Sequence, residues 1–225
     1  MKCFIYDINK LLKSHEKKMN SKISLENAYD LKSPSDNIKL YSAWAETYDV
    51  GFIDEMLYNL HFSVADEFIL NGGKGLVLDV GAGTGALAQA LLQKGKFSID
   101  ATDISDAMLK VAKAKNIYRR IFLSDVTKEI PVGDAFYNGI VSSGTFTHGH
   151  VGPTAIQELV RITKPGGLIT ISVNEKHWIK LDFVNEVENL REHFSDYSSK
   201  KLPIYDQHSM HGHKNDKAIV LSIKV

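Results

Sequence analysis

Along this chain, short apolar runs alternate with segments whose apolar residues recur at helical spacing. The clearest unit lies in the first half. Gly75 to Val80 is an apolar run ending in Gly81-Ala82-Gly83-Thr84-Gly85, after which Leu87, Ala88, Leu91 and Leu92 recur along one helical face up to Gly95. This reads as strand, glycine turn, helix. Phe97 to Asp103 predicts a second strand, and Ser105 caps a helix to about Lys115 with Met108, Val111 and Ala112 inward. Ile121 to Ser124 and Tyr137 to Ser143 predict two more strands. Gly152-Pro153 opens a helix that turns Ile156, Leu159 and Val160 inward. Pro165-Gly166-Gly167 leads into a strand over Leu168 to Val173, and a helix from about Asp182 buries Phe183, Val187, Leu190 and Phe194. Two closely spaced strands, around Lys201–Gln207 and Lys217–Val225, close the chain as a hairpin. Strands alternating with helices predict an α/β fold: a mostly parallel sheet with helices on both faces and an antiparallel last strand.

Ahead of this unit the pattern changes. Residues 1–36 read as a flexible leader, because Lys10 to Lys22 is mostly charged or polar and Ser33-Pro34-Ser35 is a loop signal. Met19 is a candidate start, which would make the first 18 residues dispensable. Residues 37–70 predict two helices. The first carries Tyr41, Trp44, Ala45 and Tyr48 on one face; the second, after Asp54, carries Leu57, His61, Val64 and Phe68. Residues 71–225 form the main domain.

Composition narrows the functional classes. The chain has 225 residues, 27 Lys plus Arg and 27 Asp plus Glu. A net charge of zero argues against nucleic acid as the main partner, since phosphate binding shows as a basic excess. The single cysteine, Cys3, excludes an internal disulfide and fits a reducing, cytoplasmic setting. No apolar run approaches the roughly 20 residues that span a bilayer, so no membrane partner is expected, and Met1 to Asp7 lacks the apolar core of a signal peptide.

A strand, glycine turn and helix can hold a nucleotide: glycines allow close backbone approach, and the helix start presents unpaired N–H groups. A dinucleotide site prefers G-x-G-x-x-G. Here the spacing is G-x-G-x-G, with Asp79 two residues before Gly81. An acid there suits a ligand carrying an ammonium group and repels a pyrophosphate. This Asp-x-Gly-x-Gly-x-Gly resembles motif I of the class I S-adenosylmethionine-dependent methyltransferases. Tyr41-x-x-Trp44-Ala45-x-x-Tyr48-Asp49 ahead of it, Lys164-Pro165-Gly166-Gly167 before the fifth strand and the closing hairpin resemble further features of that family. The resemblance covers about residues 38–225 and implies a Rossmann-like seven-stranded sheet with an N-terminal helical lid. Within the family, the chain is most similar to the ubiquinone-biosynthesis-like, small-molecule branch.

The resemblance implies S-adenosyl-L-methionine as cofactor, S-adenosyl-L-homocysteine as product, and a set of site residues at the carboxyl ends of the strands. Gly81, Gly83 and Asp79 belong to the turn around the methionine end. Asp103 ends the second strand, where an acid reaches ribose hydroxyls; Ile104 and Met108 sandwich the adenine. Asp125, with Val126, ends the third strand beside the adenine amino group. Ser143 and Gly144 end the fourth strand beside the reactive sulfur. Tyr41, Trp44 and Tyr48 close the pocket and tolerate the sulfonium charge.

Absences point to the acceptor. The fourth strand runs into Ser142-Ser143-Gly144-Thr145-Phe146, so the Asp/Asn-Pro-Pro-aromatic motif of nucleic-acid amine methyltransferases is missing, as is a catalytic Pro-Cys. A small molecule with an O, N, S or carbon nucleophile is the expected partner. A protein or RNA methyltransferase, or a non-catalytic cofactor-binding module, stays open as an alternative. His148 and His150 follow the fourth strand and are the candidate catalytic bases; a role in capping the next helix is the alternative. His208, His211 and His213 sit between the last strands in a loop. Their spacing and that of His148-x-His150 resemble metal ligands, but no cysteine or carboxylate cluster completes a site, and no metal is expected.

Overall fold

The computed structural model describes residues 34–147 and 150–225. Seven strands, β1 (Leu76–Val80), β2 (Ser98–Asp103), β3 (Arg120–Leu123), β4 (Tyr137–Phe146), β5 (Thr163–Asn174), β6 (Asp196–Pro203) and β7 (Lys217–Lys224), form one sheet. Their order is β3-β2-β1-β4-β5-β7-β6. The first five strands are parallel, and β7 runs antiparallel between β5 and β6. The strand order reverses between β1 and β4, the place where open α/β sheets bind ligands.

The helices are α1 (Pro34–Trp44), α2 (Leu60–Leu70), α3 (Ala86–Lys94), α4 (Asp106–Ala114), α5 (Ala155–Ile162), α6 (Glu175–Lys180) and α7 (Phe183–Asn189). Neighbouring strand residues feed different cores, as the period of two requires. Leu78 and Ile140 pack on one face with Ile156 and Leu159 of α5; Val77 and Val141 pack on the other with Val64 and Phe68 of α2 and Leu91 of α3. Gly139 sits inside β4 because the Phe68 ring fills its side-chain space: an added Cβ would stand 2.4 Å from that ring. Asp100 of β2 is fully buried and held by Arg119 (2.6 and 2.8 Å) and by the Tyr137 hydroxyl (2.9 Å).

Several boundaries depart from the pattern-based expectation. The second N-terminal helix starts at Leu60, not just after Asp54, and Leu57 is exposed with φ 54°. The N–H groups of Asn59 and Leu60 donate to Ile204 O, and Asp206 N donates to Leu57 O, so this stretch pairs with the segment after β6 instead of coiling. A π-helical turn, Asp49–Asp54, lies between the two helices. The penultimate strand covers Asp196–Pro203, ahead of the expected 201–207. It is a sheet edge, exposed along most of its length, and so carries no apolar alternation to read. The α6 helix was not anticipated; the Asn174 side chain caps it by accepting from Lys176 N and His177 N. The leader expected over residues 1–36 lies, up to residue 33, outside the described residues. No helix among the described residues is long and apolar enough to cross a membrane.

Candidate functional site

The glycine turn is fixed from three sides. Gly81 N and Ala82 N donate to Thr102 O of β2 (2.9 and 3.0 Å), and Gly83 N donates to the Asp103 carboxylate (2.8 Å). From β4, the hydroxyls of Ser142 and Thr145 donate to Val80 O at 2.7 and 3.2 Å. Gly81 has φ +67°, and a Cβ there would fall 2.0 Å from Thr145 Oγ1, so only glycine fits.

Beside this turn opens a cleft with an empty volume of about 830 Å³. The strand ends bring most of the expected residues to it: Gly81, Gly83, Asp103, Ile104, Met108, Asp125, Val126 and Ser143 line its walls, with Tyr41 and Tyr48 over it and His150 at its edge. Asp103 stays in place because its second oxygen accepts from Ser105 N (2.8 Å), while the Ser105 hydroxyl caps α4. Burial raises the Asp103 carboxyl above the usual range, against the pull of those backbone N–H groups. Asp125 is opposite in character. Burial pushes it up, but the Thr127 hydroxyl and amide and the nearby Lys128 outweigh that and hold it below the usual range. His150 packs edge-on to Tyr41, with ring centroids 5.6 Å apart. His148 lies outside the described residues.

Two expected residues do not line the cleft. Asp79 is buried beneath the turn, where Tyr118 donates to Oδ2 (2.8 Å) and Oδ1 has no hydrogen-bond partner. Burial pushes its carboxyl up to about 7 despite that bond, with Asp103 adding to the rise. Trp44 packs against Tyr48 and Phe52, at centroid distances of 5.2 and 5.4 Å, and stacks on Tyr41 at 6.3 Å. It lines a second cavity, of about 590 Å³, that adjoins the cleft at Tyr41, Tyr48 and Gly144. Rings of Phe52, Tyr58 and Tyr205 complete much of that wall.

Three contributors have no role in the sequence reading. Tyr58 reaches Ser143, hydroxyl to hydroxyl, at 2.9 Å. Thr102 lines the cleft with a buried hydroxyl that has no partner. Asp49 ties the N-terminal segment down, accepting from the Thr84 hydroxyl in the glycine turn and from Lys115 Nζ (2.6 Å). Only Asp49 had a signal, its place after Tyr48 in the segment ahead of the glycine turn.

Residues 77–167 match the model of a family described as a methyltransferase domain. The ubiquinone/menaquinone biosynthesis C-methyltransferase UbiE of Burkholderia mallei is 30% identical over 176 residues, spanning 73% of this chain and 67% of its own. The chain belongs to the class I S-adenosylmethionine-dependent methyltransferases. Human methyltransferase-like protein 27 is 30% identical over 150 residues, which is 64% of this chain and 60% of the human protein. The chain therefore spans less than two thirds of that relative's length. Among solved structures, the cyclase SpnF shares the methyltransferase fold with a TM-score of 0.61 at 16% identity, over 86% of this chain and 97% of its own. The family's cofactor is S-adenosylmethionine, and the cleft's chemistry fits it. Carboxylates at two successive strand ends can accept from hydroxyl and amino groups, the apolar pair Ile104 and Met108 can flank a ring, and the unpartnered Asp79 oxygen lies beneath the glycine turn.

Proposed function

We propose that this protein transfers a methyl group from S-adenosylmethionine to a small-molecule acceptor. The observation that carries this reading is the Asp103 carboxylate, fixed by Gly83 N and Ser105 N and presented to a cleft at the switch point of the sheet. In this reading Asp103 accepts from the ribose hydroxyls, Asp125 from the adenine amino group, and Ile104 and Met108 hold the ring. Asp79, its carboxyl raised to about 7 by burial, lies beneath the ammonium, whose positive charge favours the ionised form. When bound, the cofactor supplies a methyl already activated on a sulfonium. The protein's own part is positioning: holding acceptor and methyl in line is worth on the order of 7–11 kcal/mol. Tyr41 and Tyr48 present aromatic faces over the cleft, which suit a cation.

The second cavity, adjoining the cleft beyond Ser143 and Gly144, is the place for the acceptor. A small acceptor suits it, because the N-terminal segment crosses the cleft and is tied to Thr84 and Lys115 through Asp49. His150, half-buried at the cleft's edge, is the group to take the acceptor's proton. Purified protein should bind S-adenosylhomocysteine in a calorimeter and form it from S-adenosylmethionine with a member of a small-molecule acceptor panel. With that acceptor, His150→Ala should lower kcat by about 10²–10⁴-fold if it is the base. No binding of either cofactor form would end the proposal.

A further inference from the structure

The second cavity has a chemical character of its own. Among the described residues, no Asp, Glu, Lys, Arg or His lines it. Its walls are the rings of Tyr41, Trp44, Tyr48, Phe52, Tyr58 and Tyr205, with Ser172 and Asn174 as polar points at the end of β5. The rings form a connected cluster: Tyr48 to Phe52 at 5.0 Å, Phe52 to Tyr58 at 5.1 Å, and Tyr58 to Tyr205 at 6.0 Å between centroids. Such faces favour a flat apolar body and give a desolvated anion no partner, while a protonated amine has no free electron pair with which to attack a methyl group. On the cleft side the carboxylate of Asp103 acts on Tyr41 and would repel an anion.

One polar feature stands at the seam between the two spaces. The Tyr58 hydroxyl meets the Ser143 hydroxyl at 2.9 Å, and Tyr58 lines the cavity while Ser143 lines the cleft. Tyr58 is stacked on His61 at 5.6 Å and held by its backbone bridge to Tyr205, so its hydroxyl is fixed in position. A Cβ on Gly144 would come within 3.0 Å of that hydroxyl, so the glycine gives it room. Burial pushes the Tyr58 phenol up to about 12, which keeps it a neutral hydrogen-bonding group at physiological pH.

We propose that the aromatic cavity takes an uncharged, ring-bearing acceptor whose hydroxyl or amino group is directed into the cofactor cleft by the Tyr58–Ser143 hydroxyl pair. This rests on the methyl-transfer reading and specifies its acceptor. The acceptor's oxygen or nitrogen forms the new bond to the methyl carbon. The carbon–sulfur bond breaks with its electrons remaining on sulfur, and the proton released leaves through His150 to solvent. Tyr58 acts here as a positioning and selecting residue, through its hydrogen bond.

The test uses matched ring pairs on the whole protein with S-adenosylhomocysteine bound, read by calorimetry: 2-naphthol against 6-hydroxy-2-naphthoate, and aniline against 4-aminobenzoate. The neutral member of each pair should bind at least about tenfold tighter than its carboxylate partner. Tyr58→Phe keeps the ring and loses the hydroxyl. It should weaken the neutral rings by about tenfold and change S-adenosylhomocysteine affinity by less than about threefold. Carboxylates that bind as well as neutral rings, rings that fail to bind the loaded protein, or a Tyr58→Phe variant indistinguishable from wild type would each overturn the proposal. The paired-ring comparison needs only the wild-type protein, so it decides even if the variant does not fold. Loss of S-adenosylhomocysteine binding by the wild type would instead defeat the methyl-transfer reading itself.

Discussion

The cofactor cleft and the aromatic cavity share Tyr41, Tyr48 and Gly144, yet they are built by opposite means. The cleft is made by the sheet. Its polar groups stand at the ends of β1 to β4 or in the loops that follow, and Asp103, Asp125 and the glycine turn are held by hydrogen bonds to backbone groups. The cavity is made by the periphery. Its rings come from α1, from the segment 48–58, from the end of β4 and from the loop after β6, and they pack on one another, while β5 adds Ser172 and Asn174. A site built on strand ends tolerates change in the surrounding elements. A site built from distant rings changes with any of them.

The largest expected break in this comparison is Gly81→Ala. The positive φ and the 2.0 Å approach to Thr145 Oγ1 together should cost about 2–5 kcal/mol of stability, seen as a lower urea midpoint, and should abolish cofactor binding. Unchanged stability would mean that the turn can re-form around a side chain.

The aromatic side should show itself through pH. His61 is buried under Tyr58, and burial holds its imidazole down to about 4, with Asp49 opposing and Lys115 reinforcing that shift. A histidine lowered in the folded state leaves more protons on the unfolded chain between pH 6.5 and 4. Its stabilising effect is therefore complete above about pH 6.5 and is lost as pH falls toward 4, on the order of 3 kcal/mol. Asp79, raised to about 7, acts with the opposite sign, favouring the fold less as pH rises from about 4 to 7. His61→Phe leaves Asp79 in place, so the difference between the two pH–stability curves isolates the histidine. Parallel curves would remove it from this role.

Asp103→Ala should be felt on the cleft side alone. Hydrogen bonds to a charged group contribute about 1.5–3 kcal/mol each, so S-adenosylhomocysteine affinity should fall at least about tenfold. Trp44 fluorescence, reporting on the other space, should stay as in wild type. A matching change in Trp44 would show that the two sites are one unit.

The smallest effect belongs to the tie between them. Asp49→Ala removes the acceptor for Thr84 and Lys115 and should cost on the order of 1 kcal/mol. Hydrogen exchange over residues 37–50 should then quicken. In the wild type, exchange there should slow on adding S-adenosylhomocysteine if the segment is a lid ordered by cofactor. Equal protection with and without ligand would make it a fixed packing element.

What could be read from the sequence follows the same division. Asp103, Asp125 and Ser143 were legible because the period of two and the glycine spacing locate strand ends, and strand ends locate the cleft. Asp79 stands two residues before Gly81, but the pattern could not show that Tyr118 and the turn enclose its carboxylate and keep it out of the cleft wall. Tyr41, Trp44 and Tyr48 read as one helical face, and although the helix ends at Trp44 the three rings stay in contact around the second cavity; of the three, Tyr41 and Tyr48 also line the cleft. Tyr58 carries no local signal. Its position depends on the bridge to Tyr205, a pairing between chain segments that no periodicity records. The edge strand β6 was misplaced for a related reason: polar residues on both faces leave nothing to count.

The pairing of Asn59 and Leu60 with Ile204 has a consequence for how the molecule is assembled. Strands β1 to β5 and their helices can form from contacts between successive segments, and with them the cofactor cleft. The aromatic cavity needs the stretch after β6 to return to a stretch made long before it, a contact of high sequence separation that closes slowly. On a ribosome, a chain made only as far as β5 has its glycine turn and strand-end acids but no wall for Tyr58. In refolding, competence to bind S-adenosylhomocysteine should precede the burial of Trp44, followed by fluorescence in a Trp178→Phe background. The aromatic cavity is completed only when the segment after β6 arrives.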